Sequence, residues 1–309
     1  MKKLFLIDGG AGRAIAAIPA LLKYSKKDQD FGVLVYGWDT LFWGIPELQD
    51  KVFNPDQKGI FDQVVMQAEE IVSPEPYRVP GYFKQEKSLA EAFDYLINNT
   101  NDHSDLGVPQ FVTSKVEELN AAAFIRDVKT QQQKQKTVII QPFGRSAQRH
   151  QQTNVVFDDS SRSLSVDSYL KLAKKLSTKY NLVLMAEQQF HLPEDTYTIK
   201  PQADLRMWGA FIDAADYFVG VDSLGQHMAR ALGTPGTVIL GSTFAKNITY
   251  PDYFNILEKK AAKKYSPIRI SGLEGHLADR LNDKLMDFSD EEINEFYASI
   301  VKDIESKVK

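Results

Sequence analysis

Short, wholly apolar runs alternate along this chain with segments of helical periodicity, and after one polar stretch the alternation begins again. The runs are Lys3–Asp8 (KLFLID), Gly32–Tyr36 (GVLVY), Thr137–Gln141 (TVIIQ), Leu182–Ala186 (LVLMA), Tyr217–Val221 (YFVGV) and Gly236–Leu240 (GTVIL). Each is too short for a helix and apolar at consecutive positions, the mark of strands covered on both faces. Between them, Ile15, Ile18, Leu21 and Leu22 share one face of a helical segment, as do Tyr169, Leu170, Ala173 and Leu176 within Val166–Thr178. Leu205–Ala214 and Gln226–Leu232 are further helical pieces. Strands that alternate with helices predict parallel sheets in an open α/β fold.

The rest of the chain fits this plan. Gln63–Val72 ends in another apolar run, and residues 74–83 (PEPYRVPGYF) predict an irregular loop. Lys87–Asn98 predicts an amphipathic helix with Leu89, Phe93, Leu96 and Ile97 inward. Lys129–Lys136 (KTQQQKQK) has no large apolar residue and predicts a solvated linker. It divides the chain into a first domain over 1–130, a second over 137–288 and a last helix over 289–309. In that helix Ser289 and Glu292 have capping-box spacing.

Composition narrows the function. Thirty-seven basic against 41 acidic side chains leave a net charge of −4, which disfavours a protein that coats a polyanion. With no cysteine, disulfides, thiolate metal sites and a cysteine nucleophile are excluded. The five histidines, at 103, 150, 191, 227 and 276, are scattered and predict no metal centre. The apolar run near the N-terminus, Leu4–Ile7, is too short for a signal peptide, and no stretch approaches the ~18 residues of a membrane span. The expectation is a cytoplasmic protein without membrane insertion; its oligomeric state is left open. Gly9-Gly10-Ala11-Gly12 lacks the G-x-G-x-x-G spacing, which disfavours a nicotinamide dehydrogenase.

The most informative stretch is Asp216–Thr243. A buried strand ends at Val221, Asp222 and Ser223 form a polar turn, and a helix carrying His227 follows. A second strand then leads into Gly241-Ser242-Thr243. Ligands of parallel α/β sheets bind beyond the carboxyl ends of strands, and a helix N-terminus suits a phosphate. Small residues at 241–243 would let backbone approach the same anion. A plain structural reading also exists, with Asp222 or Ser223 capping the helix and His227 in the core. After the strand at 137–141, Gly144–His150 offers Arg145, Ser146 and Arg149, placed to hold phosphates or merely to solubilise a loop.

Asp222-Ser223, His227, Ala229, Ala231–Pro235 and Gly241 together resemble the donor-site signature of the heptosyltransferase family, bacterial glycosyltransferases with the two-Rossmann GT-B architecture. Arg162–Tyr169 (RSLSVDSY) and Gly12–Leu22 (GRAIAAIPALL) are similar to two further family motifs, in the same order. The resemblance implies a second domain that binds a nucleotide-diphosphate sugar and a first that binds the acceptor. It implies inverting, metal-independent transfer without a cofactor, and a final helix that crosses back to the first domain. Asp222, Ser223 and Gly225 would lie by the donor, His227 near the diphosphate, and Arg162 in place of a phosphate-facing lysine. Arg145 and Ser146 would lie beside the donor, Glu187 near its ribose or base, and Gly241, Ser242 and Thr243 at its phosphates.

Two positions depart from the family pattern. Arg13 stands where the family carries its proposed catalytic aspartate, and Leu224 displaces the turn glycine to Gly225. An arginine cannot take a proton. Asp8, at the end of the first strand, is the replacement candidate for the base, with Arg13 gripping an anionic acceptor or the donor phosphate. Trp38, Phe42, Trp43, Tyr77, Tyr82 and Phe83 offer rings for an acceptor to stack on, or a loop core. The acceptor would be a saccharide or, if Arg13, Arg78, Lys84 and Lys87 line a groove, a modified DNA base. A non-catalytic nucleotide-sugar binder and an epimerase are the competing classes.

Overall fold

The computed structural model describes residues 1–150, 156–158, 160–186, 192, 194–241, 243–259, 264 and 284–308. The first lobe is built from β1 (Lys3–Ile7), α1 (Ala11–Ser25), β2 (Phe31–Val35), β3 (Val52–Phe53), the one-turn α2 (Ile60–Gln63), β4 (Glu70–Val72), the one-turn α3 (Pro80–Phe83) and α4 (Leu89–Asn98). Its four strands pair in parallel in the order β3-β2-β1-β4. The alanine-rich α1 packs on α4, which explains why α1 is buried on nearly every side. Ser88 and Glu91 close a capping box at the start of α4.

The second lobe follows with α5 (Lys115–Gln132), β5 (Thr137–Gln141), β6 (Ala147–Arg149), β7 (Val156–Asp158), α6 (Val166–Leu176), β8 (Asn181–Leu184) and α7 (Leu205–Ala214). It continues with β9 (Tyr217–Val221), α8 (Leu224–Leu232), β10 (Gly236–Leu240), the one-turn α9 (Ala245–Ile248), β11 (Asn255–Glu258) and α10 (Asp290–Lys307). Five strands pair in parallel in the order β11-β10-β9-β5-β8, and β6 and β7 form a small antiparallel ribbon. β5, β9 and β10 are buried at every position, as their unbroken apolar runs require.

Two sequence expectations about the lobes are corrected. The polar stretch at 129–136 is helical through Gln132, and α5 packs on α7, β5 and β8 of the second sheet. Only Ala121, Ile125 and Val128 of this helix are buried, a stripe too narrow to announce a packed helix. Gln132 stands in for a strand neighbour at the sheet edge: its Oε1 accepts from the Leu182 amide (2.6 Å) and its Nε2 donates to the Tyr197 carbonyl (3.2 Å). The final helix, in turn, packs on α6, β10 and β11 of its own lobe, where Ile293, Phe296, Ile300 and Ile304 join the core. Its Asp303 accepts from the Tyr217 hydroxyl, and Ser299 from Asn255 Nδ2 (3.1 Å).

The lobes share an interface. One apolar core runs from Phe5, Ile15 and Phe93 of the first lobe to Phe211, Phe218 and Met228 of the second. Gly12 of α1 meets α8 so closely that a Cβ there would lie 2.8 Å from His227 Cδ2. Asn247 Nδ2 donates to the carbonyls of Tyr82 (2.9 Å) and Lys87 (3.0 Å). Arg206 of α7 donates to the carbonyls of Thr40 (2.9 Å) and Val112 (2.6 Å) and pairs with Glu117, whose pKa falls to about 2, chiefly through that hydrogen bond.

Candidate functional site

The strand orders single out one place in each lobe. In β3-β2-β1-β4 the direction of chain addition reverses between β1 and β4; in β11-β10-β9-β5-β8 it reverses between β9 and β5. Loops diverge at such switch points and leave a crevice beyond the strand ends, where ligands of open α/β sheets bind. Asp8 follows β1 and Glu75 follows β4; Gly144–Ser146 follow β5, and Asp222-Ser223 follow β9.

At the first switch point an arginine binds two acids. Gly9 has a φ of +88°, which turns the chain into α1 and makes room for the Arg13 side chain folded back against it. Arg13 Nη1 and Nη2 both donate to Glu75 Oε2 (3.2 Å each), and Nη2 also reaches Asp8 Oδ1 (3.3 Å). The guanidinium lies over Tyr77 (5.1 Å) and Phe93 (5.9 Å). The other Glu75 oxygen accepts from the Tyr77 amide (2.9 Å). Arg13 and Glu75 are buried, whereas the Asp8 side chain is 56% exposed, so of these three only Asp8 presents its charged end to solvent. The sequence reading missed Glu75; being the one acid in residues 74–83 was its only signal.

At the second switch point an arginine is cradled by hydroxyls. Arg162 Nη2 donates to Ser146 Oγ (3.2 Å), Nε to Ser160 Oγ (3.0 Å) and Nη1 to the Asp222 carbonyl (3.4 Å), with the Asp222 carboxylate 3.8 Å away. Burial works against the Arg162 charge, but Asp222 and Asp158 outweigh it and hold the guanidinium protonated more firmly than usual. Ser146 and Ser160 share a 2.6 Å hydrogen bond. Gln141 caps α8 from beneath: Oε1 accepts from the Gly225 amide (2.9 Å) and Nε2 donates to Ser223 Oγ (3.3 Å). A Cβ on Gly225 would lie 2.4 Å from that oxygen, so the packing explains why glycine stands there.

The two places communicate. Arg145, in the loop after β5, reaches across to lie 5.0 Å over Trp38 of the first lobe, whose Nε1 donates to the Gly9 carbonyl (2.8 Å). The buried Tyr82 hydroxyl is pushed well above its ordinary pKa, mainly by burial, and it feels Arg13 from one lobe and Asp222 and Arg162 from the other.

Other expected residues lie elsewhere. His227 is sealed: 5% exposed, packed on Gly12, with Nδ1 2.9 Å from the Tyr250 hydroxyl. Burial lowers its pKa to about 4, so the ring is neutral at pH 7 and contributes packing rather than an anion contact. What approaches Gly241 is this chain's own backbone, since a Cβ there would lie 2.1 Å from the Leu285 carbonyl oxygen. Thr243 is buried. Glu187 and Ser242 lie outside the described residues. Of the rings offered for stacking, Phe42 and Tyr82 are buried, while Trp43 and Phe83 are exposed.

The basic groove expected for DNA does not form. Arg13 is buried against Glu75, and Lys87 Nζ lies 2.8 Å from His103 Nε2; only Arg78 and Lys84 are exposed. Among the described residues no group of three metal-ligating side chains is placed to hold a metal ion, and no helix is long and apolar enough to cross a membrane.

No protein-family model and no curated protein sequence matches the chain. Solved structures do. The ADP-heptose lipopolysaccharide heptosyltransferase II of E. coli is 12% identical with a TM-score of 0.62, covering 98% of this chain and 99% of that one. TibC, an iron-containing dodecameric glycosyltransferase from enterotoxigenic E. coli, is 10% identical with a TM-score of 0.64, covering 99% of this chain and 80% of that one. A family 9 glycosyltransferase of Veillonella parvula is 9% identical with a TM-score of 0.60, covering 84% of this chain and 86% of that one. The fold is therefore GT-B, with two parallel α/β lobes, as expected from the sequence.

Proposed function

We propose that this protein is a glycosyltransferase that takes a sugar from a nucleotide diphosphate on its second lobe and passes it to a hydroxyl acceptor bound at the first. The observation that carries the reading is the opposition of two switch points of unlike chemistry, one ending in a half-exposed carboxylate and the other in a partly buried, hydroxyl-held arginine. A solved structure of TibC is described as a complex with ADP-D-β-D-heptose, which supports an ADP-sugar as the first donor to try.

In this reading Arg162, Arg145, Ser146 and the first turn of α8 receive the diphosphate, and Asp222 and Ser223 lie by the sugar. The acceptor oxygen attacks the anomeric carbon, the bond from that carbon to the diphosphate oxygen breaks, and negative charge grows on the leaving group. A preorganised guanidinium stabilises that charge as a divalent metal would, so no metal is needed. Asp8 takes the acceptor proton, and Arg13 orients Asp8 from the side. The attack comes from the face opposite the leaving group, which inverts the anomeric centre.

Mass spectrometry of cell extract incubated with the protein and ADP-, UDP- or GDP-sugars tests this. Expected are a mass increment of one sugar on an acceptor, and its loss in Asp8→Ala with nucleotide binding kept. Transfer by Asp8→Ala at the normal rate would remove Asp8 as the base. Because Arg13 occupies the position of the family's carboxylate, a non-catalytic nucleotide-sugar binder is the second reading; binding without any transfer would establish it. Isomerised free nucleotide sugar, formed without an acceptor, would point to an epimerase.

A further inference from the structure

We infer that Asp158 is a positioning residue that sets Arg162 and the loop after β5 in their receiving geometry, acting through two serines. The inference rests on the donor-site reading above. Asp158 closes β7, and the chain then turns through Ser160–Ser163, with Ser161 in the left-handed region (φ +52°). Its Oδ1 accepts from the Ser160 amide (2.8 Å) and the Ser160 hydroxyl; its Oδ2 accepts from the Ser163 amide (3.0 Å) and the Ser163 hydroxyl. An ionised carboxylate only accepts, so both hydroxyls must turn their single hydrogen toward it. Their lone pairs are thereby aimed outward. Ser160 Oγ accepts from Arg162 Nε (3.0 Å), and Ser163 Oγ accepts from the Gly144 amide (2.9 Å).

One carboxylate thus fixes both walls of the crevice, the guanidinium on one side and the turn leading to Arg145 and Ser146 on the other. The site keeps this carboxylate ionised: burial opposes its charge, yet Arg162 and the serine hydroxyls hold the Asp158 pKa below the ordinary carboxylate value. Asp158 itself lies behind the serines. Its inferred role is to hold the serines rather than to touch a ligand, which separates it from Arg162.

A double-mutant cycle tests this on the full chain, with ADP and UDP as probes in titration calorimetry. Asp158→Asn keeps the shape but turns half of the acceptor into a donor, and is expected to weaken nucleotide binding about tenfold. In an Arg162→Ala background the same change is expected to cost under about twofold, because the residue it positions is gone. A purely structural role would give the same loss in both backgrounds and would overturn the inference, as would unchanged binding by Asp158→Asn. If Asp158→Asn does not fold, Ser160→Ala removes the relay to Arg162 together with the Ser146 contact, and leaves the Ser163 arm in place. It is expected to weaken binding severalfold and equally non-additively, and additive losses would overturn the inference. Absence of binding by the wild-type protein would instead defeat the donor-site reading, and the positioning role with it.

Discussion

The two switch points occupy equivalent places in two parallel sheets, yet their arginines are held differently, one by carboxylate hydrogen bonds and the other largely by hydroxyls. Both precede helices whose N-cap residues, Gly10 and Ser223, make no side-chain cap, so both begin with the same positive helix end. In the first lobe the arginine is spent internally: Glu75 takes both ends of its fork, Asp8 shares one, and the local sum of formal charges is −1. In the second lobe Gln141 supplies a neutral cap, and Arg162 is held mostly by neutral oxygens. The backbone device is shared. What differs is the residue each neighbouring loop sends into it: a buried glutamate that pairs with Arg13 in one lobe, and serine hydroxyls that hold Arg162 in the other.

The contrast can be broken from either side. Glu75→Ala strands the buried Arg13 charge and is expected to cost about 3–5 kcal/mol of stability, the usual penalty for breaking a buried pair from one side. Chemical denaturation checks this, and the fraction still folded is expected to bind nucleotide as the wild type does. Weakened binding in that folded fraction would mean that the two switch points are not separable.

Arg162→Ala is expected to act on binding, weakening it by about 1.5–3 kcal/mol, the worth of charge-assisted hydrogen bonds to a phosphate, with some loss of stability because Asp222 and Asp158 lose their cation. A third effect concerns the seam between the lobes. The His227 pKa of about 4 lies below the ordinary imidazole value of 6.5 that the unfolded chain follows, so the unfolded state binds the proton first. Stability therefore falls as pH drops from about 6.5 to about 4, by at most about 1.4 kcal/mol per pH unit. Thermal melts across that window should be flatter for His227→Gln; identical slopes would mean that the ring is not buried in the folded protein.

Much of this architecture is legible in the sequence because strands covered on both faces cannot hide their apolar runs. The Ser289–Glu292 capping box is as plainly written, and it forms as expected. Asp222, Ser223, Arg145 and Ser146 are legible because they follow strand ends or open a helix, and Arg162 only through its resemblance to a family motif. Glu75 and Asp158 were not found. Their partners are set by tertiary contacts, Arg13 lying 62 residues from Glu75, and an acid in a proline-rich loop resembles any solvated acid until its partner is seen. The polar 129–136 stretch misled for a related reason, since a glutamine side chain can pair with an open sheet edge as a backbone amide does, and composition alone cannot distinguish that from solvation.

Calorimetric titration of the wild-type protein with ADP, UDP and GDP, alone and as their sugar conjugates, tests the central claim most directly. Saturable binding of at least one of them is expected, one molecule per chain, with affinity weakened roughly 10- to 100-fold in Arg162→Ala and kept in Asp8→Ala. A correctly folded protein that binds none of them, or binds one equally well without Arg162, would contradict it.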